Sequence, residues 1–241
     1  MTDTLALLQV QNLHVHYADG VNALRDVSLI VNPAERVGLI GPNGAGKTTL
    51  MLSIMNAVRF TGRIVVDSIE VSKKTEQETR SRCGMVFQDA EDHLFMPTLL
   101  DDVAFGPLNQ GCDTNEAKRR ADEAIAKVGL TGLEQRSAHH MSGGQKRAAS
   151  LATVMSMQVK LILLDEPGAN LDSRSRRRLI EILDARTEAM LLATHDLPMV
   201  RRLCSRVILI DEGQIMADRP TNDLLADTAL LHEHGVIDGI D

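Results

Sequence analysis

A glycine-rich segment carries the strongest chemical signal in the sequence. Its first eight residues fit the spacing G-x-x-x-x-G-K-[ST], and the whole segment is Gly41, Pro42, Asn43, Gly44, Ala45, Gly46, Lys47, Thr48 and Thr49. Glycines let backbone N–H groups converge on phosphate oxygens, and a helix that starts there adds positive charge. In this pattern the Lys47 amine reaches the β- and γ-phosphates, and the Thr48 hydroxyl is a ligand for Mg²⁺. The segment therefore predicts a phosphate-binding loop for a nucleoside triphosphate rather than an ordinary glycine-rich turn.

Two adjacent acids follow an apolar run far downstream. Residues 161–164 are wholly apolar and lead into Asp165 and Glu166. Such a run is typical of a central parallel strand, and ligands bind at the carboxyl ends of these strands. Beside a phosphate loop, Asp165 is placed to hold Mg²⁺ and Glu166 to take a proton from the attacking water. A further predicted strand, 189–194, ends at His195, which the residues alone leave open between a site group and a solvated strand end.

The elements that must position these groups follow from the apolar periodicity. Alternation over 7–17 and 23–31 predicts two half-buried strands, and 36–40 predicts a buried strand that runs into the phosphate loop. Asp113 and Ser142 each precede a helical pattern, with Gln145 completing a capping box for the second. The other predicted elements are helices over 50–58, 117–128 and 145–157, a hairpin over 206–217 with its turn at 211–213, and a final helix that opens at residue 220.

The composition excludes several classes of protein. The 241 residues are 44% hydrophobic and 24% charged, which is typical of a folded globular chain. The 33 acidic residues exceed the 26 basic ones, so binding of nucleic acid mainly by electrostatic attraction is not expected. No apolar run approaches the roughly 20 residues that span a bilayer, so a role at a membrane requires docking onto another protein. Three scattered cysteines without a CxxC pair indicate neither a disulfide framework nor a zinc site, as in a cytosolic chain.

The order of these motifs resembles the nucleotide-binding subunit of an ABC transporter over residues 10–225. The resemblance depends on the phosphate loop, the acidic strand end and the segment Ser142, Gly143, Gly144 and Gln145. It implies an α/β fold: a P-loop ATPase core with a mostly parallel sheet, an antiparallel β subdomain and an inserted α-helical subdomain. It further implies one ATPase domain over 1–241, with the core in 1–87 and 157–228, the helical subdomain in 88–156 and a tail in 229–241.

The same resemblance assigns roles to individual residues. Gln88 and His195 would join Glu166 as catalytic residues, with Gln88 near Mg²⁺ and the attacking water and His195 beside the γ-phosphate. The implied cofactors are ATP and Mg²⁺, the metal ligands being Thr48, Gln88 and Asp165. Tyr17 is expected to stack on adenine, although a strand-end tyrosine at an interface is the alternative. Asp172 falls in the family's D-loop.

Ser142 and its glycines have two interpretations. Either they only cap an ordinary helix, or the N–H groups that the glycines leave open also form an anion site at its positive end. In the family this segment completes the site of the opposite subunit, so the resemblance implies a head-to-tail sandwich of two ATPase subunits around ATP. The two subunits could be two copies of this chain or two different ATPases.

The segment between the phosphate loop and Ser142 indicates the partner. Residues 86–98 and 101–108 are similar to cobalt, nickel and energy-coupling-factor importer ATPases, with Ala90 for the usual Pro and His93 for the usual Gln. This implies ATP hydrolysis that powers an importer for cobalt or nickel, or alternatively for a vitamin such as biotin. Integral-membrane subunits would contact residues 88–105 at the cytoplasmic face of the membrane, where the chain would be peripheral. Phe95 could line a partner groove or the core, and Phe105 is expected in the core.

The same residues disfavour three more distant alternatives. A soluble ABC-type ATPase acting on nucleic acid or ribosomes would need a long heptad arm, a zinc insertion or tandem cassettes, and none is visible. A binding-only chain that has lost catalysis is disfavoured because Lys47, Glu166 and His195 are all present. GTP is disfavoured because the sequence has no N-K-x-D tetrapeptide.

Overall fold

The computed structural model describes residues 6–237, except for the side chains of Glu91 and Asp92. The described residues form two compact units. The first unit contains the residues up to 83, residues 160–166 and those from 187 onward, and the second contains 84–159 and 167–186.

The elements follow one another along the described chain. The strands are β1 (Leu8–His16), β2 (Asn22–Val31), β3 (Arg36–Ile40), β4 (Thr61–Val66), β5 (Ile69–Glu70), β6 (Cys83–Val86), β7 (Leu161–Asp165), β8 (Ala189–Ala193), β9 (Arg206–Asp211) and β10 (Gln214–Pro220). The α-helices are α1 (Lys47–Ile54), α2 (Glu76–Arg82), α3 (Leu99–Asn109), α4 (Thr114–Lys127), α5 (Gly143–Ser156), α6 (Ser173–Asp184), α7 (Leu197–Leu203), α8 (Thr221–Ala226) and α9 (Thr228–Glu233). Short 3₁₀ turns lie at Ala90–His93 and Ala138–His140.

The larger sheet of the first unit carries the parallel strands. Their order is β10-β9-β3-β8-β7, in which β9, β3, β8 and β7 are parallel and β10 is antiparallel to β9. Every residue of β7 and β8 is buried, as expected for apolar strands that are covered on both faces. The carboxyl ends of β3, β8 and β7 consequently lie side by side. The phosphate loop follows β3, His195 comes shortly after β8, and Asp165 and Glu166 lie at the end of β7.

A second, antiparallel sheet forms from the amino-terminal strands in the order β2-β1-β4-β5. Its strands alternate between buried and exposed residues, which produces the period of two in the sequence. The hairpin of β9 and β10 turns at Glu212 and Gly213, both with positive φ, as a tight two-residue turn requires. These findings and the helices confirm the predicted α/β class with parallel and antiparallel sheets.

The second unit is mainly helical. Asp113 caps α4 by accepting the Glu116 N–H at 2.9 Å, and Ser142 caps α5. The inward face of α4 is formed by Ala117, Ala121, Ala124 and Ile125. Spacings of three and four residues bring these side chains to one face of the helix, so the capped and amphipathic patterns in the sequence were sufficient to predict both helices.

Phe105 does not lie in the core, so the expectation for this residue was wrong. The residues that α3 buries are Leu99, Asp102, Val103 and Pro107, and Phe105 projects from a different side of the helix with 41% of its surface exposed. Phe95, for which two interpretations were open, is 63% exposed. The two rings contact each other edge to face, with centroids 5.1 Å apart.

Several helix and strand bounds differ from the sequence-based expectation. The helix predicted over 50–58 runs from Lys47 to Ile54, because Asn56 adopts a left-handed backbone conformation (φ 56°) that ends it. The helix that opens near residue 220 is not the final one. Asp227 interrupts it and caps α9, which lies partly in the predicted tail. The elements β4, β5, β6, α2, α3 and α7 had not been predicted.

The described residues contain no helix that is both long enough and apolar enough to cross a membrane.

Candidate active site

The phosphate loop connects β3 to α1 in the first unit. Gly46, at the start of α1, has a left-handed backbone conformation (φ 105°). A Cβ atom on Gly46 would lie 2.7 Å from Leu24 Cδ2 and 2.8 Å from the carbonyl oxygen of Ala23, whereas a Cβ on Gly44 would meet no atom within 4 Å. Gly46 is therefore required for close packing, and the loop around Gly44 leaves its backbone accessible to a ligand.

The Lys47 side chain is buried and folds over its own loop. Its Nζ donates hydrogen bonds to the carbonyl oxygens of Gly41 at 2.7 Å and Pro42 at 2.9 Å. Burial lowers the pKa of Lys47, and the nearby charges of Glu166 and Asp165 act in the opposite direction. An ammonium group can donate three hydrogen bonds. Two go to the carbonyl groups of the loop, so the third can be donated to a phosphate oxygen.

Thr48 and Asp165 bring two hard oxygen ligands together. The Thr48 hydroxyl donates to Asp165 Oδ2 at 2.7 Å, and Asp165 is buried at the end of β7. Burial raises the pKa of Asp165, and the Thr48 hydrogen bond opposes that rise. One hydroxyl and one carboxylate beside a phosphate site match the small set of protein ligands that Mg²⁺ uses with a nucleotide. The residues present therefore fit the expected ion.

Glu166 is held by the strand end next to it. Its Oε2 accepts the hydroxyl of Thr194 at 2.9 Å, its Oε1 accepts the backbone N–H of His195 at 3.1 Å, and His195 Nδ1 lies 3.0 Å from Oε2. Glu166 has a left-handed backbone conformation (φ 44°), which is uncommon for a residue with a side chain. Glu166 is almost wholly buried while most of the His195 side chain is exposed. The Glu166 carboxylate is thus a fixed acceptor, and the His195 imidazole next to it is accessible.

Tyr17 lies beside the other end of the phosphate loop. Its hydroxyl is 3.2 Å from Thr49 Oγ1, and about a third of the residue is exposed. The ring is therefore accessible next to the first turn of α1. Stacking of Tyr17 on adenine stays a prediction.

Ser142 and Gln145 form the predicted capping box in the second unit. Ser142 Oγ accepts the Gln145 N–H at 3.3 Å, and Gln145 Oε1 accepts the Ser142 N–H at 3.0 Å. A Cβ on Gly143 would meet no atom within 4 Å, whereas one on Gly144 would overlap Ser175 Oγ. The first turn of α5 is thus accessible at Gly143 and closely packed against α6 at Gly144.

Asp172 is the N-cap of α6. Its carboxylate accepts the N–H groups of Arg174 at 2.9 Å and Ser175 at 3.0 Å, and the Ser175 hydroxyl at 2.8 Å. These hydrogen bonds, with those of Ser175 the strongest, lower the pKa of Asp172. Ser175 therefore lies between Asp172 and Gly144 and connects two motifs that the sequence separates.

The first unit gathers Lys47, Thr48, Asp165, Glu166 and His195 at the carboxyl ends of its parallel strands. Gln88, Ser142–Gln145 and Asp172 belong to the second unit, and the Gln88 side chain is exposed there. Thr194 was not predicted as a site residue, although its place at the end of a predicted strand, directly before His195, was a usable signal. Its contact with Glu166 joins residues 28 positions apart, which no local pattern reveals.

Among the residues that the structure describes, no three His, Cys, Asp or Glu side chains cluster in a way that could hold a metal ion by themselves.

Comparison with known proteins agrees with this arrangement. The family profile described as ABC transporter matches residues 24–169, more than half of the chain. A protein of Streptomyces coelicolor, provisionally named an ABC transporter ATP-binding protein, is 44% identical over 233 residues, which cover 96% of this chain and 90% of that protein. The energy-coupling factor transporter ATP-binding protein EcfA of Methanothermobacter thermautotrophicus is 34% identical over 231 residues, covering 93% of this chain and 74% of EcfA.

A solved structure gives the same result. The cbiO1 protein of Clostridium perfringens, described as part of the ABC transporter complex cbiONQ, superimposes with a TM-score of 0.82 at 29% identity. The match covers 95% of this chain and 94% of cbiO1. The chain therefore belongs to the ABC transporter family, as an ATP-binding subunit with ATPase activity.

Proposed function

We propose that the chain supplies energy to a membrane importer by hydrolysing ATP with Glu166 as general base. The observation that carries this proposal is the fixed position of the Glu166 carboxylate, which Thr194 and His195 hold beside the Thr48–Asp165 pair. A carboxylate that is held in place beside the phosphate loop is positioned to take a proton from water.

In this reaction Glu166 removes a proton from water as the water oxygen bonds to the γ-phosphorus. The bond between that phosphorus and the bridging oxygen of the β-phosphate breaks, and ADP and inorganic phosphate are released. Lys47 Nζ donates its third hydrogen bond to a phosphate oxygen. His195, with Nδ1 against Glu166, would lie beside the γ-phosphate, while Gln88 orients the water.

Thr48 and Asp165 would hold Mg²⁺ together with the phosphates, and Gln88 would be the further ligand. When bound, Mg²⁺ supplies positive charge against the β- and γ-phosphate oxygens.

Two copies of the chain would clasp ATP head to tail. The phosphate loop of one copy would face Ser142, Gly143, Gly144 and Gln145 of the other, where the accessible first turn of α5 offers N–H groups to the γ-phosphate. Asp172 would lie at the same junction and Tyr17 would stack on adenine. We favour two copies over two different ATPases because this chain has a complete set of motifs, so a pair of copies forms two complete sites.

The cargo that we propose is a divalent transition metal, cobalt or nickel, with a vitamin such as biotin as the alternative. Support comes from the importer-like segment 86–108 and from the similarity to EcfA and to cbiO1 of the cbiONQ complex. The chain would work at the cytoplasmic face of the membrane as a peripheral protein. Its helical subdomain would comprise residues 88–156. An acidic chain with these relatives does not favour the alternative of a soluble ATPase that acts on nucleic acid or ribosomes.

An exposed aromatic patch, formed by Phe95, Phe105 and Leu108, is the surface that we propose for the membrane subunits. Leu108 is 45% exposed and lies one helical turn after Phe105. The buried carboxylate of Asp102 accepts the N–H groups of Phe95 and Met96, each at 2.9 Å, and thereby fixes the loop that carries Phe95. A rigid, exposed aromatic pair is typical of interface hot spots.

The double change Phe95→Ala and Phe105→Ala should separate the chain from its membrane subunits. We expect the amount of integral-membrane protein that copurifies in detergent to fall at least about tenfold, because hot-spot aromatics each contribute on the order of 2 kcal/mol. ATP binding should not change. Ile30→Ala is the control, because it removes an apolar side chain of β2 whose exposure is close to that of Phe105. Undiminished copurification of the double variant would rule out the patch.

The same preparation tests the cargo. Vesicles that contain the wild-type complex should accumulate radiolabelled Co²⁺ or Ni²⁺ when ATP is supplied on the side of the chain. Accumulation of biotin with neither metal would select the vitamin alternative, and accumulation of none would contradict both.

A further inference from the structure

The backbone next to Gln88 is held by two side chains from other parts of the second unit. Arg147 Nη1 donates to the carbonyl oxygen of Phe87 at 2.6 Å, and its Nη2 donates to the carbonyl oxygen of Gln88. His93 Nε2 accepts the N–H of Phe87 at 3.0 Å. Three polar groups of two consecutive residues are therefore fixed, and the Gln88 side chain projects from this fixed backbone into solvent.

Arg147 makes a contact that another basic residue would not reproduce. It lies on α5, five residues after Ser142, and is only 4% exposed. A planar guanidinium group can donate to two carbonyl oxygens at once, whereas the lysine ammonium is a single point. Burial lowers the pKa of Arg147 and the nearby Asp89 opposes this, while the group keeps its charge as arginines do in proteins. The start of α5 is thereby tied to the loop of Gln88.

His93 acts as a hydrogen-bond acceptor, and together with Arg147 it forms what we call the clamp on the Phe87–Gln88 backbone. Its ring packs on the Phe87 ring, with centroids 5.0 Å apart. Because Nε2 accepts a hydrogen bond, the imidazole is neutral and carries its proton on Nδ1. Burial, with a smaller contribution from the charge of Arg147, lowers the pKa of His93 to about 4, so the acceptor persists at neutral pH. The family's usual Gln at this position also carries an acceptor, its side-chain oxygen.

We propose that Arg147 and His93 are positioning residues that hold Gln88 for ATP hydrolysis and couple its position to the Ser142 end of α5. This inference rests on the proposed role of Gln88 in orienting water and Mg²⁺. Movement of α5 would displace the Phe87 and Gln88 carbonyl groups through Arg147, and the Gln88 side chain would move with them.

A double-mutant cycle on kcat tests the part played by Arg147. Arg147→Met should lower kcat by about 10- to 100-fold, since a small misplacement of a positioned group has effects of this size. KM for ATP should change little because Lys47 and its loop belong to the other unit. In a chain that already carries Gln88→Ala, Arg147→Met should lower kcat no further, because it acts through Gln88. Arg177→Met removes an exposed arginine of the same unit and is the matched control.

A pair of changes at His93 isolates the hydrogen bond from packing. His93→Gln keeps an acceptor for the Phe87 N–H and should retain kcat within about threefold. His93→Phe keeps a ring against Phe87 but has no acceptor, and should lower kcat about tenfold, the scale of one lost hydrogen bond to a partly buried backbone N–H. Thermal unfolding midpoints of both variants show whether a fall in kcat comes from loss of fold.

The outcomes separate the clamp from the function on which it rests. If Gln88→Ala leaves kcat unchanged, the proposed role of Gln88 is wrong and the inference falls with it. If Gln88→Ala lowers kcat but Arg147→Met lowers it by the same factor in both backgrounds, or if His93→Phe and His93→Gln behave alike, the clamp is overturned while the role of Gln88 stands.

Discussion

Replacement of Glu166 by Gln should reduce steady-state ATP hydrolysis by at least about 100-fold, the scale of a lost general base. A glutamine side chain has the same size and still accepts one hydrogen bond, so the fold should persist. Its amide oxygen cannot take a proton from water, and its NH₂ group would face donors because both Thr194 and His195 donate to the carboxylate. Phosphate release measured with saturating ATP and Mg²⁺ gives the rate.

ATP binding by the Glu166→Gln chain should stay within about threefold of the wild type, because Lys47 and its loop are unchanged. Without hydrolysis the ATP-bound pair of chains should persist, which gel filtration with ATP would detect as a dimer. Glu212→Gln alters an exposed glutamate in the β9–β10 turn and should leave hydrolysis unchanged. Hydrolysis by Glu166→Gln within tenfold of the wild-type rate would remove Glu166 from the role of general base.

Loss of the Lys47 side chain should have an effect of similar size on binding. Lys47→Ala removes one charged donor from the phosphates and leaves the carbonyl groups of Gly41 and Pro42 without its hydrogen bonds. Hydrogen bonds to charged groups contribute about 1.5–3 kcal/mol each, so the Kd for ATP should rise at least about tenfold and toward 100-fold. Isothermal titration with ATP measures the change directly.

The matched control for Lys47 is Lys160→Ala in the same unit. Lys160 is exposed and paired with Asp67 at the surface, so its removal should leave the Kd for ATP unchanged. A Lys47→Ala chain that binds ATP as tightly as this control would show that the phosphate loop holds ATP without its lysine.

The sequence predicted the parts of the fold and site that depend on local chemistry. The phosphate loop needs glycines at fixed spacing, and Gly46 indeed occupies a left-handed conformation against Ala23. Apart from Asp165 at the end of β7, the strands β7 and β8 are apolar because both of their faces are covered, so the pattern and the structure agree. Capping by Asp113 and Ser142 was likewise visible in a few residues.

The parts that the sequence did not predict depend on contacts between distant residues or on single backbone angles. Phe105 has the character of a core residue, and only the packing of α3 shows that a different side of the helix is buried. Helix α1 ends at Ile54 because of the backbone angle of Asn56. The partners of Glu166 and of the Gln88 backbone, Thr194 and Arg147, lie 28 and 59 residues away from them in the chain.

The head-to-tail pairing of two copies is the central claim, and mixing two inactive chains tests it most directly. Lys47→Ala spoils the phosphate loop, and Ser142→Arg blocks the accessible end of α5 with a bulky side chain. Each chain alone should be inactive because both of its sites contain one defect. A mixed pair contains one site with the intact loop of the Ser142→Arg chain and the intact α5 of the Lys47→Ala chain. We predict that the mixture hydrolyses ATP well above the sum of the two separate chains. A mixture no more active than that sum would contradict the claim that each site is completed by the second copy.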